Sequence, residues 1–174
     1  MGCDIKEADL QGVDLKGADL TKTNLRDADL SGADLSRAMM SGVDLEKAVL
    51  RATKMVWVYL RDAELDKAML EGADLSDADL RGTSFKRAEL KEAQFAGGKL
   101  SNTNFERANL QGANLSDTTL KAARLDRADL TGVNLREENL KRDVWAAPSC
   151  GKFISRRRRS KGPSSTRPTC QVPI

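Results

Sequence analysis

Histidine is absent from all 174 residues, and with it the commonest general base and the commonest metal ligand. The three cysteines, Cys3, Cys150 and Cys170, are an odd number without paired metal-type spacing, so neither a zinc site nor a disulfide framework is indicated and a reducing compartment is expected. No apolar run reaches the roughly 18 residues of a membrane span, and the start MGCDIKEADL lacks the apolar stretch of a secretory signal. A soluble, cytoplasmic location is the expectation. Neither a phosphate-cradling GxxxxGK loop nor a GxSxG nucleophile element occurs, which leaves no case for an enzyme, a cofactor or a metal.

What the chain does have is a beat. Every fifth residue from Ile5 to Leu140 is a large apolar side chain, twenty-eight in succession, of which twenty-two are Leu and the others Ile5, Met40, Met55, Phe85, Phe95 and Phe105. Two residues before each stands a smaller class: sixteen Ala, four Val and five Thr, with Cys3, Gly98 and Glu138 as the remainder. A fixed short period marks a solenoid, whose core is a column that lengthens with repeat number.

A period of five fits neither a helix at 3.6 nor a continuous strand at 2, so the chain must turn within every unit. The small and large apolar residues are two apart, and in an extended segment those share a side. Each unit is therefore a very short strand and a corner, with the intervening Asp or Asn facing water. Gly12, Gly32, Gly72, Gly112 and Gly132 recur in steps of twenty or forty, so four units make one turn of a square column and the glycines fall in one corner, where positive φ is easily reached. Phe85 then stacks on Phe105, with Phe95 entering from the opposite wall. Residues 3 to 142 make about seven coils, roughly 33 Å at the usual inter-strand spacing. Gly98 is expected to leave a small inward vacancy, and Glu138 to end the regular coiling.

The units ADLQG, ADLSG, ADLSD, ANLQG, ANLSD and ADLTG resemble those of pentapeptide-repeat proteins, which read A(D/N)LXX. The resemblance covers about four fifths of the chain. It implies an all-β solenoid, a right-handed four-sided (quadrilateral) β-helix with a filled interior, and hence a non-enzymatic interaction or scaffold role through the outer faces. Some members of the family resemble duplex DNA and bind type II topoisomerases such as gyrase in its place, which makes a topoisomerase the alternative partner.

Charge is weakly polarised. Residues 1–140 carry 20 basic and 25 acidic groups, while residues 141–174 carry nine and one. By wall, the units in line with Ala8 sum to −4, those with Val13 to −2, those with Cys3 to zero and those with Ala18 to +1. Duplex DNA carries a charge about every 1.7 Å, so a body at −5 is a poor imitation. The stretch TKMVWVYLRD breaks the polar surface while keeping phase. Val56, Trp57 and Tyr59 are expected to point outward, with Met39 one coil below Tyr59 and with Val49 and Met69 replacing the usual polar residue on the face before them. Aromatic and Met side chains gathered on a charged surface are typical of a partner-binding centre; the plain alternative is an enlarged corner or a cluster covered by the tail.

The ends carry weaker signals. Repeats begin at once, with Cys3 in the small inward position, so the first coil is expected to be frayed, stacked on another copy as an end-to-end homodimer, or preceded by more chain. MGC is also the start of acylated proteins, but Lys6 stands where Ser or Thr is wanted. Residues 143–150, with Val144 and Trp145, read as a short cap ended by Pro148. Residues 151–174 read as a disordered basic tail, in which Arg156, Arg157, Arg158, Arg159 and Lys161 could attract nucleic acid or an anionic membrane, or serve as a nuclear address.

Overall fold

One unit shows how the backbone of all of them is satisfied. In Ala28-Asp29-Leu30-Ser31-Gly32, the Asp29 N–H donates down to the Ala8 carbonyl at 2.9 Å and the Leu30 N–H donates up to Val49 at 2.7 Å. The Gly32 N–H reaches Arg51 at 2.9 Å, and the N–H of the following Ala33 closes the turn onto Leu30 at 3.0 Å. The fifth donor, on Ser31, has no backbone partner and is taken by the Asp29 carboxylate at 2.9 Å. A turn whose orphan N–H is capped by the preceding Asp or Asn explains why these two residues dominate the outward position.

The structure, a computed structural model, describes residues 2–135 and 154–155. Parallel bridges link every outward residue to the one twenty positions on, from Asp4↔Asn24 through Asn114↔Asn134. Four five-residue units therefore complete each coil, and the column is square. Its interior is apolar: from Leu25 to Leu135, the residues of the inward pairs are buried. Phe85 and Phe105 stack at 5.3 Å with 5° between planes, and Phe95 meets them edge-on at 6.1 and 6.0 Å. The buried hydroxyls of Thr53, Thr83 and Thr103 donate to the carbonyls of Leu30, Leu60 and Leu80 at 2.9, 2.6 and 2.9 Å.

The glycine corner has positive φ as expected, and the same conformation recurs at the second turn residue of all four corners, in seventeen non-glycine residues as well as in nine glycines. None of the seventeen is Val, Ile or Thr, the types for which this conformation is costliest. At Gly12, Gly17, Gly32 and Gly72 a Cβ would meet nothing within 4 Å, so glycine relieves conformational strain there and not crowding. At Gly98 a Cβ would lie 2.9 Å from the Phe95 carbonyl oxygen, so a side chain there would crowd its own turn.

Cys3 occupies the inward register but is exposed, as are Ile5 and Val13 at 36% and 37%, and Leu10, Leu15 and Leu20 are half-buried. Among the described residues no coil lies beneath to cover them. At the other end, Asn134–Leu135 (β1) pairs in parallel with Ile154–Ser155 (β2), in the register Asn134↔Ile154 and Leu135↔Ser155. Two residues of the expected disordered tail thus add a strand at the same twenty-residue step, which occupies an edge that would otherwise present unpaired backbone groups. The cap at 143–150, Glu138 and the basic run from Arg156 to Lys161 lie outside the described residues.

Candidate functional site

Met39, Trp57 and Tyr59 are the exposed large hydrophobics of the column beyond its first coil, at 45%, 54% and 50%. Phase is kept beneath them, since Met40, Met55, Val58 and Leu60 are fully buried. Met39 and Tyr59 are bridged to each other on one wall, between Asp19 below and Asp79 above. Trp57 stands at the preceding corner with φ 62°, held by its N–H to the Ser76 carbonyl at 3.1 Å. A bulky residue in the left-handed region is costly, and the column retains it there. Val56, half-buried, adjoins Trp57 in the same turn.

The strip also forgoes a hydrogen bond. Where Asp29 or Asp74 caps the N–H two residues on at 2.9 or 3.0 Å, Met39 and Tyr59 have nothing to offer Ser41 and Arg61. Among the described residues no side chain accepts from those two N–H groups. Exposed apolar side chains have here replaced the residues that close the turn, a local loss with no gain inside the column.

Charge frames the strip. Asp79, directly above Tyr59, is buried and gripped by Arg81, whose Nε lies 2.7 Å from Oδ1 and whose second nitrogen reaches Oδ2. Hydrogen bonding to Arg81 holds the Asp79 carboxyl below its usual range against the opposing effect of burial. On the neighbouring wall Asp34 is lowered to about 2, chiefly by the Ser36 hydrogen bond, with Lys16 contributing from 3.1 Å. Both carboxylates are therefore charged at neutral pH beside an uncharged strip.

The six apolar residues singled out by sequence do not form one surface. Met39, Val56, Trp57 and Tyr59 come together; Val49 and Met69 are bridged on the opposite wall, half a coil away, where the Met69 sulfur accepts from Arg51 at 3.1 Å. The arithmetic of twenty separates them, since positions ten apart face opposite ways. The capping role of the outward Asp and Asn was missed, although its signal, a polar residue two before each second-turn residue's neighbour, was in plain view. Among the described residues no group of three His, Cys, Asp or Glu converges as a metal site, and no helix is long and apolar enough to cross a membrane.

Comparison with known proteins gives a consistent frame. The family model for pentapeptide repeats matches in eight copies, over residues 1–37, 28–66, 68–107, 88–127 and 99–137. A pentapeptide repeat protein of the Arabidopsis thaliana thylakoid lumen is similar in structure, with a TM-score of 0.55 and 34% identity over 56% of this chain and 68% of that one. HetL, a pentapeptide repeat protein involved in heterocyst differentiation regulation in the cyanobacterium Nostoc sp. strain PCC 7120, gives 0.41 at 26% identity over 77% of this chain and 73% of its own. QnrB1, a plasmid-mediated fluoroquinolone resistance protein, gives 0.40 at 22% identity over 86% and 84%. No curated protein matches the chain in sequence.

Proposed function

The chain belongs to the pentapeptide-repeat family, and from that premise we propose that it is a non-enzymatic interaction module, a right-handed rod of about seven coils that docks a protein partner on the Met39, Trp57 and Tyr59 strip. The observation that carries this reading is the pairing of exposure with local cost: two of the three residues displace a turn-capping Asp or Asn, the third adopts left-handed backbone, and all are about half exposed. Aromatic and Met side chains are over-represented at the centres of protein interfaces, where they supply contact area at low entropy cost. Residues 143–150 as a cap and the basic tail beyond them are assigned no part in this docking.

The test compares the proteins retained by the wild-type chain, by Trp57→Ser/Tyr59→Ser and by the opposite-wall variant Val49→Ser/Met69→Ser. Loss of retained partners in the first variant alone is the expected result. Unchanged retention by Trp57→Ser/Tyr59→Ser removes the site.

A second reading, DNA mimicry toward a type II topoisomerase, draws on two neighbouring walls whose first coils stack like charges, Asp9 over Asp29 and Asp14 over Asp34. A gyrase supercoiling assay decides it, because a mimic inhibits and a module docked through Trp57 does not.

A further inference from the structure

The wall in line with Cys3 sums to zero charge, and that sum conceals a segregation. Its second turn residues are Glu7 and Asp27, then Lys47, Lys67, Arg87, Arg107 and Arg127 in unbroken succession. Twenty residues apart, these five cations stand one above another along a single corner. Backbone hydrogen bonds tie each coil to the next at this corner: Lys47 N–H to Asp66 at 3.0 Å, Lys67 to Lys86 at 2.9 Å, Arg87 to Glu106 at 3.0 Å and Arg107 to Asp126 at 2.9 Å. Rungs therefore repeat at the inter-strand distance of about 4.8 Å, and the ladder is roughly 19 Å long. All five side chains are exposed on left-handed turns, φ 58–61°.

The adjacent first turn residues include four acids, and these are engaged mostly with groups outside the ladder. Glu46 pairs with Arg26 and with Lys67 at 3.0 Å; Asp66 accepts from the Ser84 hydroxyl and the Lys86 N–H; Glu106 and Asp126 share Arg124 at 3.4 and 3.5 Å. Within the ladder only Lys67 and, at a loose 3.9 Å, Arg107 have an ion pair. Lys47, Arg87 and Arg127 have none among the described residues. A surface groove lined by Asp66, Lys67, Lys86, Arg87, Glu106 and Arg107 lies along the middle of the ladder.

We propose that this corner binds an acidic α-helix of a protein partner, one presenting an Asp or Glu on the same face at every turn. A helix repeats every 5.4 Å, close enough to the rung spacing of about 4.8 Å for long, flexible Lys and Arg side chains to take up the difference over four intervals. Arg is suited to the forked grip on a carboxylate that such a ladder offers. Duplex DNA is a poorer fit. Its charges come every 1.7 Å or so, and a rod of that width would overlie the acids flanking the corner, Asp44 and Glu64 on one side and Glu89 and Asp129 on the other. A single acidic helix, about 10–12 Å across, is narrow enough to follow the corner without overlying those flanking wall acids.

This corner is diagonally opposite Trp57, ten residues away in a coil of twenty, so the two sites are independent and the rod can hold two partners at once.

The probe is a synthetic helical peptide of roughly five turns with Glu on one face, compared with a peptide of equal composition whose Glu residues are spread around the helix. Affinity for the full chain is measured at low and raised salt, beside a duplex DNA of similar length. The one-faced peptide is expected to bind at least about tenfold more tightly than the spread one and to weaken with salt. Arg87→Glu/Arg107→Glu/Arg127→Glu is expected to abolish that binding, while Arg156→Gln through Arg159→Gln leaves it unchanged. If the charge-reversed chain has lost its thermal transition, Arg87→Gln/Arg107→Gln/Arg127→Gln replaces it with the same expectation. Equal binding of the two peptides, retention by the ladder variant, or tighter ladder-dependent binding of DNA overturns the proposal.

Discussion

At Asp29 the outward side chain turns back and caps its own corner; at Tyr59, on another wall of the same column, it points into solvent and the corner N–H goes uncapped. The interiors beneath the two are alike, since Leu30 and Leu60 are both fully buried. The outer layer can therefore change character without disturbing the core, because inward and outward residues alternate and each layer makes its own bonds. That separation lets a repeat column carry an exposed apolar strip while the coils beneath it remain packed.

The largest effect tests whether the interiors are in fact alike. Leu60→Ala under the strip and Leu110→Ala under an Asn-capped unit are each expected to cost about 2–5 kcal/mol in denaturant unfolding, and Phe95→Ala, in the middle of the ring stack, about 3–5 kcal/mol. A Leu60→Ala cost far below that of Leu110→Ala would break the comparison and make the strip a soft spot.

Acid should act on the capped units and spare the strip. Asp29, Asp34, Asp79 and Asp129 have carboxyls lowered in the fold, chiefly by the hydrogen bonds of Ser31, Ser36, Arg81 and Thr131. A group whose folded pKa is depressed contributes stability that is complete above its unfolded pKa and is lost as pH falls through the folded one. Stability is thus expected to be level from neutral pH down to the ordinary Asp value of 3.8 and to decline below it, with Asp34 yielding only near pH 2. A thermal melt series against pH checks this.

Removing one cap sharpens the comparison. Asn109→Ala frees the Gln111 N–H, which Asn109 Oδ1 now holds at 3.2 Å, and is expected to cost about 0.5–1.5 kcal/mol. The smallest effect runs the other way. Tyr59→Asp installs a cap where none exists and is expected to change stability by no more than about 0.5 kcal/mol, in the stabilising direction, while abolishing partner retention. A clear destabilisation would mean that Tyr59 serves the column itself.

Much of this was legible without coordinates. Leu30 and Phe95 announce their burial through the beat of five, and the Phe85, Phe95 and Phe105 stack follows from twenty residues per coil. The exposure of Met39, Trp57 and Tyr59 could be read because they break a polar surface. Grouping Val49 and Met69 with them failed because neighbours in sequence can face opposite ways in a four-sided coil. The Lys and Arg ladder was hidden for the related reason that a wall's charge was summed across its width, where Glu46, Asp66, Glu106 and Asp126 cancel it.

Leu10 and Leu30 sit in the near-identical units ADLQG and ADLSG, yet one is half-buried and the other fully so. Side-chain alternation and a five-residue period are local properties, so which residues face inward, how many units close a coil and which walls lose their Asp or Asn can be read from the order of the residues alone. How deeply a residue is buried, which corner cations align and where a backbone N–H finds its acceptor depend on a coil twenty residues away. Only the stacked structure decided those, because each is a contact between layers.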